Sequence, residues 1–267
     1  MSDWVHNLPI VWMALLVFGL TALVTATIYL VVTVLSVGER ARSFKAVSPG
    51  MLPPLGVLFA LFVAFAASQV WSDNDKANSA VDHEASALRS VVILAAAFPG
   101  EPETRLRSLI RSYVGDAVAQ EWPMMARGTA TLHVIPYSLA EALQLTLALT
   151  PSSQGQQTAQ REITTALENA LDARRQRIVI SESEVNWIKW LCLCLLTACS
   201  LIAIAMVHSD NPLASTITLG LFGIGVAASL LLILAHDRPF TGELAVRPNP
   251  LLQVMPELES SQQGIKP

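Results

Sequence analysis

Four stretches of this chain carry no formal charge: residues 7–38 (32 residues), 46–72 (27), 190–207 (18) and 211–235 (25). A helix needs roughly 20 apolar residues to cross about 30 Å of hydrocarbon, so each stretch is long enough or nearly so. Their side chains are mainly Leu, Val, Ala, Ile and Phe, without the two-residue alternation of a membrane barrel. In lipid a spanning segment must satisfy its own backbone hydrogen bonds, which makes helices the expected form. The predicted spans are 9–35, 51–71, 187–207 and 213–235. The first run lacks a basic flank before it and exceeds the 7–15 apolar residues usual in a cleavable signal peptide, so it is read as a span.

The spacing of the runs pairs them. Spans three and four are joined by residues 208–212, a tight polar turn, and spans one and two by residues 37–50 with Ser48-Pro49-Gly50 at the re-entry. Between the hairpins lie residues 72–186, 115 residues with 14 acidic and 10 basic side chains, a balance suited to water. Ala77, Val81, Glu84, Leu88 and Val92 recur at helical spacing, and Phe98-Pro99-Gly100 ends the run. Further helices are predicted over 103–122, 129–149 (with Pro136 as a kink or boundary) and 157–181. No strand pattern emerges. The fold class is therefore all-α: four transmembrane helices in two hairpins with a helical extramembrane insert. The expected divisions are a first hairpin (1–71), the insert (72–186), a second hairpin (187–235) and a polar, proline-rich tail (236–267).

Charge bears on orientation and partners. An even number of spans puts both termini and the insert on one side. That side holds Lys76, Arg89, Arg174, Arg175, Arg177, Lys189, Arg238 and Arg247, against Arg40, Arg42 and Lys45 in the short loops. The positive-inside rule then places insert and termini in the cytoplasm, in an inner (cytoplasmic) membrane. With a formal net charge of -4 the chain has no general polybasic footprint, so no nucleic-acid partner is expected. Cys192, Cys194 and Cys199 all lie in span three, where free cysteine packs as a small hydrophobe.

No phosphate-binding loop, zinc-protease, nucleophile-elbow or C-x-x-C motif occurs, and no cofactor, metal or enzymatic activity is expected. Asp73 and Asp75 read as helix-capping residues. Glu84 is the unusual side chain: Ala80, Val81, Leu88 and Val91 surround its helical face, so the carboxylate calls for a partner, and Arg105, Arg107 and Arg111 are the candidate arginines. In span two, Phe59, Phe62 and Phe65 are candidates for an apolar pore constriction, because apolar rings gate by dewetting; packing within the bundle is the alternative.

Several pieces of wording resemble the bestrophin-like domain family of bacterial and plant membrane proteins: Val70-Trp71, then Ala80-Val81-Asp82-His83-Glu84-Ala85-Ser86-Ala87-Leu88 ending at Phe98-Pro99; Tyr113; Glu121-Trp122-Pro123-Met124; and Asp237-Arg238-Pro239-Phe240-Thr241-Gly242. The resemblance implies a homo-oligomeric, pentameric ring in the lipid bilayer around a path for small anions, with span two at the neck. The phenylalanines here are three residues apart, whereas bestrophins place neck residues four apart. No counterpart of the acidic calcium clasp of animal bestrophins follows Asp237. The expected function is a bestrophin-like oligomeric ion channel conducting anions; the alternative is a non-conducting oligomeric membrane scaffold or sensor.

Overall fold

A computed structural model of the protein describes residues 3–36, 44, 49–133 and 135–254. The loop basics Arg40, Arg42 and Lys45, the turn residue Ser48 and the tail beyond 254 lie outside the described residues. The order is α1 (Asp3–His6), α2 (Ile10–Leu35), α3 (Leu52–Leu94), α4 (Glu101–Asp116), a π-helical turn (Ala117–Glu121), α5 (Trp122–Ala126), α6 (Tyr137–Ala148), α7 (Gln154–Ser181), α8 (Trp187–Val207), α9 (Pro212–Ala235) and α10 (Asn249–Leu252). No strand occurs among the described residues. Four helices are long and apolar enough to cross a membrane: α2, α3, α8 and α9. The protein is an all-α, multi-pass membrane protein with a helical insert.

Local chemistry sets the ends of these helices. The Asn186 side chain accepts a hydrogen bond from Ile188 N at 3.0 Å and Asn211 from Ala214 N at 3.1 Å, capping α8 and α9. Ser153 caps α7 by accepting from Gln156 N at 3.2 Å. Pro53 and Pro54 fall in the first turn of α3, where the missing donors have no partner to lose. Gly100, before α4, has φ of +102°, a backbone region that favours glycine.

One expected helix is shorter than its outer bounds and starts at the boundary that Pro136 offered. The helix predicted over 129–149 begins only at Tyr137. Pro136 fixes the boundary, since it lacks an amide donor and disfavours helical backbone in the residue before it. Before span three, α7 ends at Ser181 and α8 starts at Trp187, with non-helical backbone between. Span two does continue, as α3 runs unbroken for 43 residues.

The chain forms two compact units, Met1–Ser72 with Glu184–Asp237, and Asp73–Ser183 with Arg238–Pro267. In the first, α2 packs on α9 and α8. Gly223 permits the close approach: a Cβ there would lie 3.1 Å from Thr25 Oγ1. Phe59, Ala66, Ala67 and Val70 of α3 pack with Leu193, Val226 and Ile233. Leu23, Leu30, Leu61, Phe65, Leu213 and Leu221 remain exposed, as expected of helices solvated by hydrocarbon. The Asp237 carboxylate ties two segments of this unit, accepting from Val185 N at 2.7 Å and lying 3.2 Å from His6 Nε2.

The second unit buries an ordinary water-soluble core. Leu88, Leu106, Ile110, Leu139, Ile163 and Leu167 are wholly inaccessible. Burying one such side chain contributes about 1.5–3 kcal/mol, which offsets the entropy of ordering the helices.

A buried ionic core as candidate functional site

Helical register brings the charges of the second unit together. On α7 the apolar row Ile163, Leu167 and Ala170 leads directly to Arg174 and Arg177, so both guanidiniums emerge on the face that packs inward. On α3 the same logic buries Glu84 beside Val81 and Leu88. The third contributor is the π-helical turn before α5. Pro123 has no amide hydrogen, and in a regular helix its ring would press on the Ala119 carbonyl; the wider turn at Ala117–Glu121 relieves that conflict at the point where Glu121 joins the cluster.

The result is a network with every charge answered. Arg177 Nε donates to Glu84 Oε2 at 2.7 Å, and its Nη2 donates to Glu84 Oε1 at 3.1 Å and to Glu121 Oε2 at 2.9 Å. Arg174 Nε donates to Glu121 Oε1 at 2.8 Å, with Nη2 at 2.6 Å. The Tyr113 hydroxyl donates to Glu84 Oε1. Glu84 and Arg177 have no exposed side-chain surface at all, so their pairing takes place in a low-dielectric interior. Burial pushes the Tyr113 hydroxyl well above the usual tyrosine value, and the Glu84 charge adds to this. For Arg177 burial opposes the charge, but the Glu84 carboxylate beside it holds the guanidinium above its ordinary value.

Aromatic residues close the cluster. The Arg177 guanidinium carbon sits 4.8 Å from the Trp122 ring centroid, a cation–π distance. Trp122 meets Phe240 edge-on at 5.8 Å and donates its indole hydrogen to Val246 O at 3.1 Å. Thr241 Oγ1 donates to Ala126 O at 2.9 Å. The segments 80–88, 113, 121–124 and 238–242, dispersed in sequence, thus meet around one ion pair.

The bestrophin-like domain family matches residues 18–251, from within α2 to α10. The chain belongs to this family. Among solved structures, a bacterial bestrophin homologue from Klebsiella pneumoniae, in a point-mutant form, superposes with a TM-score of 0.68 at 14% identity, over 92% of this chain and 99% of the other. A second crystal structure, described only as a membrane protein, gives 0.55 at 15% identity, over 95% and 99%. At these identities the likeness concerns the fold. None of the curated proteins matches the sequence.

In this bestrophin-like chain the residues singled out from sequence are distributed as follows. Glu84 is buried with an arginine, but that arginine is Arg177. Arg105 instead pairs with Glu141, and Arg107 with Glu103 at 3.0 Å one turn away on α4; Arg111 is exposed. The three candidate arginines all lie on the next helix in the chain, α4, whereas the partner lies 93 residues from Glu84. Arg174, Arg177, Tyr113 and Glu121 were not anticipated as partners, although an arginine continuing the apolar row of α7 is a readable signal. Phe59 is turned into its own bundle, 5.5 Å from Phe222, and Phe62 packs at the edge of the same cluster. Phe65 is 67% exposed. Among the described residues no group of three His, Cys, Asp or Glu is placed to hold a metal ion.

Proposed function

We propose that this protein is a non-enzymatic, homo-oligomeric channel that passes small anions across the inner membrane, with the insert and both termini cytoplasmic. Membership of the bestrophin-like family over nearly the whole chain carries this reading. The outward face of α3 supports it: Leu58, Leu61, Phe65 and Ser68 are exposed, uncharged and spaced along one side of a membrane-length helix. Copies of that face around an axis would make an apolar neck, gated by dewetting. Phe65 is the strongest of the three phenylalanine candidates, with Phe62 beside it; Phe59 is committed to Phe222. Pentameric stoichiometry belongs to the same proposal.

A second reading, a non-conducting oligomeric scaffold or sensor, is favoured by the ionic core, whose charged groups answer one another. Reconstituted into planar bilayers, the protein should carry anion current, and Phe65→Ala should raise conductance by widening the neck. A folded oligomer that carries no current, in wild type or in Phe65→Ala, rejects the channel and leaves the scaffold.

A further inference from the structure

A second feature of the soluble unit has no part in the proposed conduction. A cavity of about 400 Å³ opens beside the ionic core, between the π-helical turn, the segment before α6 and the inward face of α7. This volume lies in the range of small-molecule sites, about 300–1,000 Å³. Its walls are largely apolar, with Ala117, Met124 and Ile178 among them. The charged side chains lining it are Asp116, Glu121 and Arg174.

Their charges do not cancel evenly. Arg174 and Glu121 neutralise each other through contacts of 2.8 and 2.6 Å. Among the described residues Asp116 accepts only from the Gln120 amide, at 3.3 Å, so one negative charge is left at the cavity wall. Tyr137, an exposed residue at the start of α6, also lines the cavity. Arg105, on the neighbouring helix α4, is held by Glu141 and adds no net positive charge. A carboxylate and an aromatic face on a mostly apolar cavity form a complementary environment for a cation with a hydrocarbon exterior. A hydrated metal ion fits less well, because apolar walls offer no oxygen ligands to replace its water.

We propose that this cavity binds a small organic ammonium ion, with Asp116 supplying the charge and Tyr137 the aromatic contact. The site is independent of the conduction reading. Choline is a suitable probe, and 3,3-dimethyl-1-butanol is its uncharged isostere. Thermal unfolding of the full chain in detergent should show saturable stabilisation by choline chloride relative to sodium chloride at equal ionic strength, and none by the alcohol. Asp116→Asn should weaken the apparent affinity about tenfold or more, since a charge-assisted contact becomes a neutral one. Tyr137→Ala should weaken it less. Both side chains are exposed, so the variants are expected to fold. The same ammonium chemistry is available free in solution or on a lipid headgroup. Stabilisation in phosphatidylcholine nanodiscs over phosphatidylglycerol nanodiscs, lost in Asp116→Asn, identifies the headgroup; stabilisation only on adding choline identifies the free solute. Absence of any effect in wild type, equal stabilisation by the alcohol, or unchanged binding in Asp116→Asn overturns the assignment.

Discussion

In the membrane unit, Thr25 Oγ1, Thr197 Oγ1, Ser200 Oγ and His6 Nδ1 are buried without a hydrogen-bond partner among the described residues. Among the described residues of the second unit the buried side-chain polar atoms are paired, including those of a two-glutamate, two-arginine core. The difference follows from what each unit has available. The four spans carry a single formal charge, Lys189 in the first turn of α8, and their helices satisfy their own backbones; an occasional hydroxyl among Leu and Val side chains is a modest cost. An ionised group in the interior of the second unit would be far more expensive alone, so it persists only where partners are complete. Apolar packing therefore organises one unit, and polar satisfaction constrains the other.

The strongest challenge to this comparison is Arg177→Met. It strips the fully buried Glu84 of its counter-ion, and a loss of about 3–5 kcal/mol is expected in denaturant or thermal unfolding. Adding Glu84→Gln, whose amide oxygen can still accept from Tyr113, should recover much of that loss, because the damage comes from the orphaned charge. A small effect of Arg177→Met would mean that the ion pair is peripheral to the stability of its unit.

Glu84→Ala should cost less, about 1–3 kcal/mol, because Arg177 retains Glu121. Glu84→Gln should be milder still if hydrogen bonding matters more than charge. Tyr113→Phe removes one of the bonds to Glu84 and should cost about 1 kcal/mol at neutral pH. This variant also tests the pH dependence. A tyrosine whose value is raised on folding contributes stability that is fully present below its unfolded value of about 10, and that contribution is lost as pH climbs through the raised value. The alkaline decline in stability above about pH 10 should therefore be shallower in Tyr113→Phe than in wild type.

The smallest effect is expected in the membrane unit. Thr197→Val removes a hydroxyl that has no partner and keeps the side-chain shape, so stability should change by no more than about 0.5 kcal/mol, or rise slightly. A loss comparable to that of Glu84→Ala would abolish the contrast between the units.

Much of this architecture is legible along the chain. The predicted spans 9–35, 187–207 and 213–235 lie within one residue of α2, α8 and α9 at each end, and the predicted start of span two at 51 adjoins α3 at Leu52. The unusual character of Glu84 was also visible, from its apolar neighbours. Both are local properties: the length of a charge-free run and the face of one helix depend on residues a few positions apart. The identity of the partner is not local. Glu84 meets Arg177 because the fold brings these points of α3 and α7 together, and no spacing within either helix specifies that encounter. The π-helical turn brings Glu121 to the same arginine, and Phe222 claims Phe59 from the phenylalanine cluster, for the same reason. Helix lengths and faces are set by nearest-neighbour chemistry, whereas the pairing of one face with another is decided only when distant segments compete to bury the same surface.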